Sequence, residues 1–229
     1  MLRRKKLNGT LKFKPILLSV ATIAASALWG GYVTDGLVLH YDAIDNAGIG
    51  KHEDNPEKWV DLTGSGADLD LTSEKIKVGA DYIAFNKVKK SVAGVKDLAS
   101  DTSTAYTLEV VARTDESFQS GYFWYLVKSD KIGLFFHRIT GLRGLMGTVR
   151  RVGNQLRYMT IPDYCGDWNN IPFLRNFHTY SLTGNGKIAV DSELYLSTSQ
   201  FSSSATNGLV DKLEIGNVSC NVIFKSIRL

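Results

Sequence analysis

Between residues 35 and 229 short apolar runs alternate with turn chemistry, and no stretch sustains a long helical period. A chain patterned this way buries its apolar positions by pairing strands into sheets and packing those sheets on one another. Strands are expected over residues 37–41, 82–85, 106–113, 122–128, 131–138, 142–150, 155–160, 177–183, 187–190, 193–197, 213–216 and 222–228. Ser129-Asp130 and Gly184-Asn185-Gly186 stand between paired apolar runs. Asn and Gly both tolerate positive φ, so antiparallel hairpins are the expected connections. So many strands without helical crossovers predict an all-β sandwich of two antiparallel sheets packed face to face.

Alternation also assigns faces. Tyr106, Leu108 and Val110 fall on one side of a strand and Thr107, Glu109 and Val111 on the other, the pattern of a sheet exposed on one side. In Tyr122-Phe123-Trp124-Tyr125-Leu126-Val127 both alternate sets are apolar, which predicts contacts on both faces and a central place in its sheet. The stretch DGLVLHYDAIDNAGIGKHEDNPEKWVDLTGSG, residues 35–66, joins a strand to a loop rich in acids and glycine. Trp59-Val60-Asp61-Leu62 then resumes the strand pattern, and Thr63-Gly64-Ser65-Gly66 turns the chain back.

With 229 residues and 44% hydrophobic content the chain can bury one sizeable core, and no break in composition divides the part after residue 34. The net charge of +4 is misleading, because Arg3, Arg4, Lys5, Lys6, Lys12 and Lys14 all precede the first acid, Asp35. Removing those six of 27 bases leaves 21 against 23 acids, a net of −2. A nearly neutral body lacks the clustered bases of a nucleic-acid footprint.

Those six bases lead into residues 15–34, PILLSVATIAASALWGGYVT, 20 residues without a charge. That is the layout of a secretory signal, with Ala25-Ser26-Ala27 as an A-x-A cleavage site. It also approaches the ~20 apolar residues that cross a bilayer. Residues 1–34 are therefore expected to be a hydrophobic leader helix, either cleaved or kept as an anchor, and any membrane contact is confined to residues 15–34. Either way the positive-inside tendency puts residues 35–229 outside the cytoplasm, as an extracellular or cell-surface domain. Cys165 and Cys220 suit an oxidising compartment, as one bridge or as two separate thiols.

DGLVLHYDAIDNAGIG followed by WVDLTGSGADL, then YTLEVVAR from Tyr106, FHTYSLT from Phe177, GNGKIAV, LEIGN and VIFKSIRL, resemble in order and spacing bacterial laminin-G-like domains of the concanavalin A-like lectin/glucanase superfamily. The resemblance spans residues 35–229 and implies a jelly-roll sandwich. Its one departure is DSELYLSTSQ after GKIAV, where relatives have a clearer strand, Asn-Gly turn and strand.

Some members of that superfamily hydrolyse glycosides, which takes two facing carboxyls. No E-x-D-x-E strand is present here; Asp68 and Asp70 share a face, and Asp211 and Glu214 lie near a strand, but all four read as turn or surface acids. His40, His52, His137 and His178 are scattered, with no G-x-S-x-G elbow. No catalytic residue is therefore assigned. Asp42, Asp45 and Asn46 offer the hard oxygens that calcium takes, as in many laminin-G-like relatives, and are equally ordinary turn residues. Trp59, placed just before the resumed strand, reads as core. The best sugar-contacting candidates are Tyr164, Asp167, Trp168 and Asn169 in PDYCGDWNNIP, which combine rings that stack with groups that bond hydroxyls. The function these features point to is an exported, non-catalytic recognition module for a glycan or a surface protein. A divergent glycoside hydrolase and a structural envelope protein are the alternatives.

Overall fold

The computed structural model describes residues 36–93, 107–114, 123–128, 132–137, 145–152, 155–161, 175–183, 188–196 and 212–229. The chain divides into two compact units, Met1–Asp35 and Gly36–Leu229. The leader falls in the first, outside the described residues. The second unit is an antiparallel jelly-roll sandwich, with no α-helix among the described residues. Its first strands are β1 (His40–Asp42), β2 (Lys58–Trp59), β3 (Leu69–Asp70), β4 (Ile76–Gly79), β5 (Tyr82–Asn86), β6 (Lys89–Ala93), β7 (Thr107–Arg113) and β8 (Phe123–Lys128). They continue as β9 (Ile132–His137), β10 (Leu145–Val152), β11 (Gln155–Ile161), β12 (His178–Thr183), β13 (Ile188–Val190), β14 (Glu193–Leu196), β15 (Lys212–Gly216) and β16 (Asn221–Arg228).

One sheet has eight strands in the order β14-β13-β12-β7-β16-β5-β4, with β1 also paired to β16; the other has six, in the order β11-β10-β9-β8-β15-β6. Leu108, Val110, Tyr180, Leu182, Phe85 and Phe224 from the first sheet and Leu126, Leu134, Leu213 and Ile215 from the second form one buried cluster, so the apolar faces of both sheets are buried in a common core. Phe85 and Phe224 meet edge to face at 5.5 Å. Trp59 and Leu69 carry the small β2-β3 sheet into the same core.

All twelve expected strands are present, with ends within a few residues of those expected. The β7 alternation holds: Leu108, Val110 and Ala112 are buried while Thr107, Glu109 and Arg113 are not. β8 is central, between β9 and β15. The consecutive burial of Leu126 and Val127 has a more local cause than two covered faces. Tyr125 pairs with Phe135 and Val127 with Leu134, so Leu126 is the extra residue of a β-bulge, which interrupts the alternation there. The pattern resumed at Trp59 touches β2 at its last residue, and the strands that patterning does not pick out, β3, β4 and β6, are short or lysine-bearing.

The departure after GKIAV is a tight hairpin. Asp191 and Ser192 take positive φ, 48° and 70°, between β13 and β14, the conformation that Asn-Gly supplies in a type I′ turn. Asp191 holds it by accepting the Thr179 amide at 2.9 Å and pairing with His178 Nδ1 at 2.6 Å. Burial pushes the Asp191 carboxyl up, but the His178 and Thr179 hydrogen bonds outweigh it and leave the group below the usual carboxylate range.

Gly216 closes β15 at φ 84°, and a Cβ there would fall 2.6 Å from the Val88 carbonyl oxygen and 2.9 Å from Phe85 Cδ1. Left-handed strain and a clash with backbone act together, so Gly216→Ala is expected to lower stability by about 3 kcal/mol, read as a lower urea midpoint at unchanged slope.

Candidate functional site

Two regions of the described residues concentrate polar side chains. The first is the loop system after β1, where β1 is closed on both edges. Asp42 pairs with Ser226 of β16, and on the opposite side Leu62 N–H donates to the His40 carbonyl at 2.8 Å. Trp59, fully buried, donates its indole N–H to the Asp42 carbonyl at 2.8 Å and lies against Tyr41 with centroids 5.2 Å apart. Trp59 is therefore core, as its position before a resumed strand implies.

The buried Asp61 carboxylate organises the turn that follows. Oδ1 accepts the His40 amide at 2.9 Å and the Thr63 amide at 3.2 Å. Oδ2 accepts the Thr63 hydroxyl at 2.6 Å, the Ser65 hydroxyl at 2.5 Å and the Ser65 amide at 3.2 Å. Burial raises the Asp61 pKa, and the donors from Ser65, Thr63 and His40 outweigh it, so the carboxyl sits below its ordinary value. Tyr41, buried beside Asp61 and Asp68, is pushed the other way, and its hydroxyl donates to the Ala67 carbonyl. His40 is held below the ordinary imidazole range by burial and then by Arg228, whose Nε donates to His40 Nε2 at 3.3 Å.

The three residues with oxygens suited to calcium lie together at the start of this loop. Asp42 Oδ1 accepts the Ile44 amide at 2.9 Å. Asn46, fully buried, uses both ends of its carboxamide on Glu53, accepting its N–H and donating to its carbonyl, each at 2.8 Å. Asp45 is buried, with its carbonyl accepting the Gly48 amide at 3.0 Å. Among the described residues no three His, Cys, Asp or Glu side chains are grouped to hold a metal ion.

The surface acids are tied to lysines. Asp68 accepts Lys58 at 3.2 Å and the Asp61 amide at 3.0 Å, and Glu214 accepts Lys89 at 3.0 Å. Asp70 accepts Lys90 at 2.6 Å, and hydrogen bonds from Lys90 and Thr72 lower its pKa to about 2. Asp211, Cys165 and the four sugar-contacting candidates Tyr164, Asp167, Trp168 and Asn169 lie outside the described residues. Cys220 is buried.

The second polar region lies on the outer face of the eight-stranded sheet. Arg113 and Lys225 both approach the half-buried Phe177 ring, at 5.2 Å and 4.6 Å from its centroid, and Lys225 pairs with Asp81 at 2.8 Å. Sequence reading missed this group because its members are far apart in the chain. A broken alternation in VIFKSIRL was the available signal.

These features define an antiparallel jelly-roll sandwich. No protein-family model matches the sequence, and no curated protein matches it. Among solved structures, the chain is similar to the binding domain of botulinum neurotoxin DC in complex with SialylT, at TM-score 0.60 and 7% identity over 86% of this chain and 48% of that one. It is similar to a structure from work on the dependence of botulinum neurotoxin type C cell entry on two ganglioside molecules, at TM-score 0.57 and 11% identity with the same coverage. A third is the botulinum neurotoxin DC binding domain in complex with rat synaptotagmin II, at TM-score 0.57 and 8% identity, again over 86% and 48%. The chain thus spans about half the length of these structures, and the likeness is one of fold.

Proposed function

We propose that this protein is an exported, non-catalytic recognition module of laminin-G-like type that binds a glycan, or a surface protein, through loops at one rim of the sandwich. The observation that carries the reading is the likeness of the fold, over 86% of the chain, to botulinum neurotoxin structures described with SialylT, with two ganglioside molecules and with rat synaptotagmin II. The engagement of Asp68, Asp70 and Glu214 by lysines adds support, since hydrolysis takes two carboxyls facing a glycosidic bond. Tyr164 and Trp168 supply stacking surfaces, Asp167 and Asn169 bond hydroxyls, and Asp42, Asp45 and Asn46 are the calcium candidates. The leader takes the domain out of the cytoplasm, which N-terminal sequencing of exported protein reads directly.

A glycan array probed with the full-length protein, with calcium and with chelator, tests the reading. Binding to a defined glycan class is expected, with Trp168→Ala weakening it about tenfold or more through loss of a stacking surface. An array without a hit, or release of reducing sugar from a bound glycan, overturns it.

A further inference from the structure

At a common end of the outer face of the eight-stranded sheet, the adjacent strands β12, β7, β16 and β5 gather Phe177, just before β12, Arg113 of β7, Lys225 of β16 and Asp81, just before β5. Leu108, Val110 and Ala112 of β7 face the core, so Arg113, last in the strand, faces outward. The β12 register places His178 opposite Ala112, and one step further Phe177 comes beside Arg113. On the other side Ile223 of β16 stands opposite Arg113. Asp81 immediately precedes β5 and reaches Lys225.

Lys225 joins this row because β16 is bulged there. Phe224 pairs with Ala112 and Ser226 with Val111, so Lys225 is the unpaired extra residue. The buried apolar positions change parity across it, from Val222 and Phe224 to Ile227 and Leu229. Bulges re-aim side chains, and this one turns an ammonium onto the face where the guanidinium already lies. The Phe177 ring then holds both cations by cation–π contact.

The charges in this group are not balanced. Lys225 is shared with Asp81, whereas no carboxylate lies within ion-pair reach of Arg113 among the described residues. The Lys225 and Asp81 side chains remain 39% and 50% exposed, so the group is open to solvent and to a ligand. A guanidinium fork held in place beside an ammonium matches an oxyanion, and an adjacent carboxylate accepts hydroxyl hydrogens. We propose that Arg113, Lys225, Phe177 and Asp81 form a binding site for a sugar bearing a carboxylate or a sulfate. Arg113 takes the oxyanion with Lys225 beside it, Asp81 accepts from neighbouring hydroxyls, and Phe177 fixes the cations before the ligand arrives. The site does not depend on the rim loop carrying the first binding function.

Isothermal titration of the full-length protein with 3′-sialyllactose, N-acetylglucosamine 6-sulfate and lactose tests it. At least one charged sugar is expected to bind where lactose does not, with affinity falling as salt rises from about 0.05 M to about 0.5 M. Which charged sugar binds tells carboxylate from sulfate. Arg113→Gln is expected to weaken that binding about tenfold, with Arg113→Lys restoring only part. Phe177→Leu should weaken it less. Should Arg113→Gln fail to keep the wild-type unfolding midpoint, Lys225→Met provides the same reading. Silence of both charged sugars, equal binding of lactose, or wild-type affinity in a folded Arg113→Gln or Lys225→Met overturns the proposal.

Discussion

Asp61→Ala should unfold about 10 °C below the wild type, from a loss of about 3 kcal/mol in a domain of this size. The expectation rests on five hydrogen bonds converging on one buried carboxylate. Alanine leaves the buried His40 amide and the half-buried Thr63 amide without their acceptor and offers nothing to the Ser65 turn. Stranded buried donors cost more than the net value of the bonds removed, because their desolvation is no longer offset. Asp61→Asn separates charge from shape. Its amide nitrogen meets the Ser65 N–H where an acceptor is needed, and the two hydroxyls must rotate to accept. About half the loss should remain, measured by thermal melts of all three proteins at pH 7.

Acid provides an independent reading of the same group. Asp61 is depressed in the folded state, so its contribution is complete above the ordinary carboxylate pKa and is lost as pH falls through the lower, folded value. Asp70 and Asp191 are depressed as well, though exposed enough that solvent screening shrinks their share. Wild-type stability should therefore fall below about pH 4, and Asp61→Ala should fall less steeply over that range. Parallel slopes would show that Asp61 titrates alike in folded and unfolded chains.

What could be read from the sequence follows from the physics of each element. β7 and β12 were legible because one face of each meets the core, and burial on one side writes a period of two into the residues. β4 carries Lys77 and Gly79 at the edge of its sheet and has little burial to record, so it leaves no such trace. Asp61 was visible only as one residue of the resumed strand pattern at 59–62. The spacing Asp61, Thr63, Ser65 does signal side chains folding back on one acceptor, but sequence gave no sign that the His40 amide, 21 residues away, would join them. The Lys225 bulge was written into VIFKSIRL, where the apolar positions shift from 222 and 224 to 227 and 229. Reading that shift requires knowing that the strand continues through it. Phe177, Arg113 and Asp81 gather around Lys225 only once the strand order is known, because sheet order rather than chain order makes them neighbours.

Trp59→Ala is expected to be the most damaging single truncation among the described residues, at about 4 kcal/mol. The ring is fully buried in the shared core, lies against Tyr41, and bonds the carbonyl that ends β1. Its removal leaves a cavity and takes one hydrogen bond from the Asp42 carbonyl, and the surrounding sandwich is braced on several sides and can collapse into the gap only in part. Trp59→Phe keeps most of the volume and loses the N–H, so it should cost about 1.5 kcal/mol, close to one buried hydrogen bond. Tyr41→Phe combined with each variant reads the coupling across the ring pair, which should be non-additive because the two side chains touch. The Asp42 carbonyl is also where the loop bearing Asp45 and Asn46 leaves the sheet, so Trp59 fixes the start of that loop as well as filling the core. If ligand binding proves calcium dependent, Trp59→Phe should raise the calcium concentration required while leaving the fold intact. Unchanged calcium dependence in a folded Trp59→Phe would show that this tether does not reach the ion.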